Sequence, residues 1–400
     1  MKELYLFFIT DNHIFQIMNI KRSITKRVNK LFGLNKTKPL EKPIRNLYKT
    51  NYDKNVLICY IIKPFREPND FAHQNYMTAH IVAESFSELG YNVDVVDYQG
   101  GFDIDYEYYS VIFGFGRNFE QSFHSKKREI PRIHFITGAH PDLQNAMSLQ
   151  SVNDFYKTSG LWLPEQGNIL YDNCYYSTFN SDFSIILAHG FIFEDHKSRV
   201  KRRLHSLNNN ILGVFKDFKP KQGRSNSFLF LSGSRLVTKG ISILLEVAKE
   251  RKDLNFYVVV LGLDGELRSY YHDLLYESPN VFLRQNLQMN SEEMKQIVED
   301  CSYCIAPSYT DGLPGGTIEP MSAGLVPIVS KYCGFPVENF IFEMEELSAF
   351  GLNEAINRAL GMDDMTYLKS SNEVKAYAIE SYSASNVKQS LLKILQTELL

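Results

Sequence analysis

The sequence predicts an α/β protein made of two doubly wound domains in series, and three observations carry that expectation. Short, continuously apolar runs of the buried parallel-strand kind recur along the chain, such as NVLICYII from Asn55 and FLFLSG from Phe228. Helical stretches such as MTAHIVAESFSELG lie between these runs. The alternation starts twice, on either side of a polar, basic segment with proline and glycine, KDFKPKQGRSNS (216–227), which reads as an interdomain linker. A chain of 400 residues is too long for one ordinary core and comfortable for two.

Residues 1–50 read as an extension. HIFQIMNIKRSITKRVNKLFGL (13–34) places Ile17, Ile20, Ile24, Val28, Leu31 and Phe32 on one helical face, with the basic side chains opposite and Gly33 as a cap. NKTKPLEKPIRN, with two prolines, continues as a tether, and Met18 is an alternative start. The first domain is placed at 51–215. Its further strands are VDVVDY, YSVIFGFG, RIHFITG and FSIILAHG, each ending near glycine or a polar turn. The second domain is placed at 228–380, with GISILLEVAKE as a helix and NFYVVVLG, NVFLRQN, YCIAPS and VPIVS as strands. Ser291 is expected to cap the helix SEEMKQIVED, whose first turn is acidic. Residues 376–398 are largely helical, and 381–400 form a C-terminal helix.

Composition narrows the function classes. The apolar share of 44% and charged share of 22% are ordinary globular values. No run of 18 apolar residues exists to span a bilayer, and MKELYLFFIT has no small-residue cleavage site. Five scattered cysteines fit a reducing compartment, so the expected location is cytoplasmic. Cys301 and Cys304 have CxxC spacing but no second pair, and read as structural. The net charge is −3, yet between Lys21 and Lys49 ten basic residues face one acid, Glu41, a local balance of +9. A basic block on an otherwise acidic chain points to an anionic surface such as a membrane face, not to nucleic acid in general.

The strongest chemical signal is SYTDGLPGGTIEPMSAGLVPIVS (308–330). A strand ends at Ser308, a glycine-rich loop follows, and a short helix is expected from about Thr317 to Gly324, with Pro320 in its first turn. The amides of Gly315, Gly316 and Thr317 would then open an anion site at a helix N-terminus. Asp311 and Glu319 flank that loop eight residues apart, a spacing that lets the first bind a sugar hydroxyl and the second a ribose hydroxyl, with a diphosphate between them. The bland alternative is a tight bend whose glycines serve packing alone. The second signal is FLFLSGSRLVTKGISILLEVAKE (228–250), where Arg235 and Lys239 lie in a strand-to-helix loop with Gly233 and Gly240. A planar guanidinium and a compact ammonium both suit phosphate oxygens. Basic residues in such loops are commonly just solvated, so the weight comes from finding both loops in this order.

On these residues the C-terminal half resembles the donor domain of GT4-type retaining glycosyltransferases. That family pairs an Arg…Lys-Gly loop with a carboxylate-x7-carboxylate motif, matched by Arg235, Lys239-Gly240, Asp311 and Glu319. The resemblance covers roughly 226–335 and implies the GT-B fold, two Rossmann-like domains facing a central cleft. Two features depart from the family: the first acid is Asp311 where Glu is usual, and the Arg-to-Lys spacing is one residue tighter than in many members. The resemblance further implies a nucleotide-sugar donor, a glycan or lipid-linked acceptor, retention of configuration, and no cofactor or obligatory metal. DID (103–105) is taken as surface, not as a metal motif. In RIHFITGAHPDLQNAMSLQSV (132–152) the resemblance makes His140 the candidate beside the donor sugar, with His189 as a second. Surface polysaccharide assembly is the expected setting. A nucleotide-sugar epimerase on the same scaffold and a non-catalytic binding partner are the alternative readings.

Overall fold

The computed structural model describes residues 41–67, 73–171 and 174–399, so the amphipathic helix expected at 13–34 lies outside the described residues. The strands of the first sheet are β1 (Lys54–Tyr60), β2 (Tyr91–Asp97), β3 (Val111–Gly114), β4 (Arg132–Ile136), β5 (Phe183–Ile186) and β6 (Arg203–Ser206). They pair in the order β2-β1-β3-β4-β5-β6, all parallel. The second sheet comprises β7 (Ser227–Ser232), β8 (Asn255–Val260), β9 (Val281–Gln285), β10 (Tyr303–Ala306), β11 (Val326–Ser330) and β12 (Phe342–Met344). Its order is β12-β11-β10-β7-β8-β9, again all parallel. Central strands such as β3, β4 and β10 are buried at every residue, as helices on both faces require. The edge strands β6 and β12 were not evident in the sequence, because neither has a continuous apolar run.

This strand order fixes where ligands can enter. In each sheet the first strand lies inside, and the winding reverses beside it: between β1 and β3 in one sheet, between β7 and β10 in the other. Crevices in open α/β sheets form beyond the carboxyl ends of the strands at such reversals. Both sequence motifs leave the second sheet there, one from β7 and one from β10.

The two sheets are tied together at several places. The helix Pro141–Ser159 follows β4, yet Met147 and Phe155 on it join the core of the second sheet. The expected helix at 376–398 is two helices, Asp364–Tyr382 and Ala384–Leu399, broken at Ser383 with an extended ψ of 145°. After the break, Val387, Leu391 and Leu395 pack into the core of the first sheet. The Ile211 amide donates to the Tyr382 carbonyl at 2.8 Å, so the two crossings run side by side. Ser291 caps its helix as expected, accepting from the Met294 amide at 3.2 Å. All five cysteines are free, and Cys301 and Cys304 are buried. Asp103 and Asp105 are exposed, Asp105 accepting the Glu107 amide. Among the described residues no helix is long and apolar enough to cross a membrane.

Two core histidines set an acid limit to stability. His134 on β4 stacks on Phe119 at 6.0 Å, and burial pushes its pKa down to about 3. His196 meets the Gly138 carbonyl at 3.1 Å, and burial takes it to about 4. Unfolded histidine titrates near pH 6.5, so below that the unfolded chain binds protons that the folded chain refuses. Their stabilising contribution is present above about pH 6.5 and is lost as pH falls toward 4, at up to about 1.4 kcal/mol per pH unit for each histidine. Urea denaturation at pH 7 and pH 5 should show the loss, and His134→Leu should flatten it. An unchanged slope in that variant would exclude His134 as the cause.

Candidate active site

The loop after β7 is shaped by close backbone approach. Arg235 has a left-handed backbone, φ 56°, an uncommon conformation for a residue with a Cβ. The bend lets the Lys239 amide donate to the Arg235 carbonyl at 3.1 Å. Gly240 follows at φ 81°, and a Cβ there would stand 2.1 Å from the Pro307 carbonyl oxygen, so only glycine fits. That contact presses the loop against the end of β10, and the Tyr309 amide secures it by donating to the Thr238 carbonyl at 2.9 Å. Gly233 has no comparable steric demand.

The consequence is a contact between the two motifs. Lys239 Nζ lies 2.5 Å from Asp311 Oδ2, with both side chains mostly buried. The Asp311 amide donates to the Tyr332 carbonyl, and its other carboxylate oxygen accepts the Gly312 amide at 3.0 Å. Arg235 is exposed and makes no ion pair among the described residues. An ammonium paired to a carboxylate can exchange that partner for a diphosphate, and Arg235, four residues earlier in the same loop, has no ion-pair partner among the described residues to give up.

The helix after the glycine-rich loop runs from Gly315 to Met321, with Pro314 as its N-cap, and so begins two residues earlier than expected. Pro320 therefore lies late in the helix, not in its first turn, while Gly324 ends the turn at φ 89° as anticipated. The Thr317 amide donates to the Pro314 carbonyl at 2.9 Å, which removes it from the expected anion site. Gly315 and Gly316 open the helix, where the helix itself supplies no acceptor for their amides. A Cβ on Gly316 would meet the Leu231 carbonyl oxygen at 2.1 Å, so this glycine also lets the helix seat on β7.

Glu319 has another partner than the ribose expected for it. It is wholly buried, and its carboxylate accepts the Leu212 amide at 2.6 Å and the Val214 amide at 2.7 Å. Burial raises its pKa, while the amides of Leu212, Val214 and Gly213 and the Gln74 side chain oppose that rise. The acid thus fastens the crossing segment between the sheets.

The first domain brings residues that the sequence did not single out. Gln144 accepts from the Thr310 hydroxyl at 2.8 Å, and Ser151 lies 3.0 Å from the Thr238 hydroxyl. Thr238 also donates to the Gln166 carbonyl at 2.7 Å. One helix of the first domain therefore grips both motif loops from behind. At the start of the helix Gln74–Glu88, His73 accepts the Asn75 amide at 3.1 Å. Desolvation lowers its pKa, with Asp311 raising it and Lys239 lowering it, which puts the ring within electrostatic reach of the ion pair. A helix-capping histidine in a polar loop has no periodic signature, so only the fold reveals it.

His140 caps the helix Pro141–Ser159, with Nδ1 accepting the Asp142 amide at 3.3 Å, which leaves the proton on Nε2. It is 7% exposed, its ring is 5.6 Å from that of His196, and burial, then Arg199, lowers its pKa. His140 lies two residues beyond Gly138, whose Cα a Cβ on Gly312 would approach to 3.0 Å, so the strand end it follows faces the motif loop. His189 is held at both ring nitrogens, by Asn208 at 2.6 Å and Ser206 at 2.8 Å, a fully satisfied structural arrangement.

Residues 214–366 match the family described as glycosyl transferases group 1. No curated protein matches the chain. Among solved structures it is similar to sucrose-phosphate synthase from Thermosynechococcus elongatus, at 13% identity and TM-score 0.58 over 86% of this chain and 99% of that one. It is also similar to a glycosyltransferase from Rickettsia africae ESF-5, at 13% identity and TM-score 0.47 over 87% and 99% of the two chains. TarM of S. aureus, solved with fondaparinux, alpha-GlcNAc-glycerol and UDP, is 15% identical with TM-score 0.47, and the match spans 71% of this chain and 55% of TarM. The first of these likenesses, with the two parallel six-stranded sheets, gives the fold as GT-B.

Proposed function

We propose that this chain, a group 1 glycosyltransferase over residues 214–366, moves a sugar from a nucleotide-sugar donor to a glycan or lipid-linked acceptor with retention of configuration. The observation that carries the reading is the meeting of Lys239 and Asp311 at the reversal point of the second sheet, in the loop that also carries Arg235. The donor diphosphate takes the place of Asp311 as partner of Lys239, and Asp311 is released to a hydroxyl of the donor sugar. The bond from C1 to the leaving phosphate oxygen breaks, and the acceptor oxygen bonds to C1 on the same face. The acceptor proton passes to the leaving phosphate oxygen. Arg235, Lys239 and the amides of Gly315 and Gly316 stabilise the departing charge, so catalysis is positioning plus electrostatics, with no cofactor and no obligatory metal. Thermal-shift screening against UDP-, GDP-, ADP- and CMP-sugars tests this, because a ligand specific to the folded state raises its stability. No shift with any of them would remove the reading. Turnover of donor without acceptor would favour an epimerase instead.

His140 is assigned to the donor sugar or acceptor through Nε2–H. His140→Ala should lower kcat at least about tenfold with a smaller change in donor affinity. Full turnover would leave the histidine a helix cap only. The enzyme works at the cytoplasmic face of a membrane in surface polysaccharide assembly, docked by the basic segment 21–49 and the stripe at 13–34. Deleting residues 1–50 should abolish co-sedimentation with anionic liposomes, and equal sedimentation of the shortened chain would refute the docking.

A further inference from the structure

A second concave surface lies next to the motif loops. It is a groove of about 820 Å³ between the segment that follows the helix Pro141–Ser159 and the helix Gly265–Tyr270. Leu161, Trp162 and Glu165 form one wall, and Asp264, Glu266 and Tyr270 the other. The volume falls within the roughly 300–1,000 Å³ of ligand clefts.

Its chemistry is unlike that of the Arg235–Lys239 loop. The lining contains three carboxylates and no lysine or arginine. Asp264 caps its helix through the Glu266 amide, whereas Glu165 and Glu266 are exposed and make no ion pair among the described residues. This balance repels a nucleotide, a phosphate or an anionic headgroup. Trp162 is 50% exposed and braced edge-on by Tyr156 at 6.0 Å, and Tyr270 is fixed by its hydroxyl on the Thr158 carbonyl at 3.3 Å. Rigid aromatic faces present flat apolar surface at low entropic cost, and carboxylates at their edges are strong acceptors for hydroxyl protons. A neutral pyranose chain has both complements, C–H faces and a rim of hydroxyls.

The groove also connects to the motif loops. Glu165 precedes Gln166, whose backbone carbonyl holds Thr238 and whose side-chain oxygen accepts the Val237 amide at 3.4 Å. The structure assigns this groove as a binding site for a neutral oligosaccharide, the distal part of the acceptor glycan. The assignment rests on the glycosyl-transfer reading for the identity of the glycan as acceptor, but not for its binding.

Trp162 is the sole tryptophan of the chain, so its emission reports on the groove alone. The full chain is titrated with maltoheptaose, cellotetraose, chitotetraose, mannotetraose and a β-galactotetraose. At least one should shift the emission saturably. Calorimetry should then show affinity for that sugar falling at least about tenfold in Trp162→Ala and Tyr270→Ala, a loss of about 1.4 kcal/mol, and surviving in Arg235→Ala. A flat emission across all five sugars overturns the assignment. So does a saturable shift with UDP or GDP that Tyr270→Ala abolishes, which would make the groove a nucleobase pocket. Glycan binding by a chain that transfers from no nucleotide sugar keeps the groove and removes the transferase reading. Transfer with flat emission does the reverse.

Discussion

Arg235→Ala and Lys239→Ala should each lower kcat by about 100- to 1,000-fold, the usual cost of losing one group that stabilises charge developing in a transition state. The two variants should differ in the ground state. Arg235 has no anionic partner to leave behind, so its removal should change nucleoside diphosphate affinity modestly. Lys239 is held 2.5 Å from Asp311, and its loss strands a mostly buried carboxylate where the diphosphate must sit. Lys239→Ala should therefore weaken diphosphate binding as well as turnover. Asp311→Asn should do the opposite to affinity: the ammonium no longer exchanges one anion for another, so bare nucleoside diphosphate binds more tightly while use of the sugar falls. Calorimetry with nucleoside diphosphate, beside turnover, separates the three. Full turnover in Arg235→Ala together with unchanged affinity in Asp311→Asn would show that the diphosphate binds elsewhere.

The legible part of this site was what local pattern encodes. Apolar runs marked the interior strands, and each motif was placed correctly between a strand and a helix, because glycine at 240 and 316 answers a backbone demand that any sequence reader can suspect. Strand order was not encoded locally, so nothing in the sequence said that the loops after β7 and β10 emerge side by side, or that Lys239 would reach across 72 positions to Asp311. Edge strands β6 and β12 escaped because edges need no apolar continuity. The break at Ser383 escaped because an extended serine between two helical patterns leaves the periodicity almost intact. His73, Gln144 and Gln166 escaped for further reasons. Gln144 and Gln166 reach from one domain to the other, and a polar residue that bridges domains looks in sequence like one facing solvent; His73 is a local helix cap that leaves no periodic signature.

Glu319→Ala should be the most destabilising substitution in the motif, an expectation that the sequence alone does not give. The carboxylate is 0% exposed and accepts the Leu212 and Val214 amides, and truncation leaves those donors facing a cavity. A buried donor left unsatisfied costs about 1–3 kcal/mol, so the pair implies a loss of about 2–6 kcal/mol in chemical denaturation. Glu319→Gln retains one acceptor oxygen and nearly the same volume, and should lose less. Because the segment these amides belong to joins the sheets beside Ile211 and Tyr382, loosening it should also let the two domains move more freely, read as faster amide exchange at 211–214. The ribose role suggested by the motif makes a different prediction: weaker nucleoside diphosphate binding with the denaturation midpoint unchanged. If Glu319→Ala keeps the wild-type midpoint and exchange rates while losing nucleotide affinity, the carboxylate serves the ribose and its grip on the crossing segment at 212–214 is incidental. If the midpoint falls and the residual folded protein binds nucleoside diphosphate normally, the acid is a fastener for the domain crossing, and Arg235, Lys239 and Asp311 carry the donor without it.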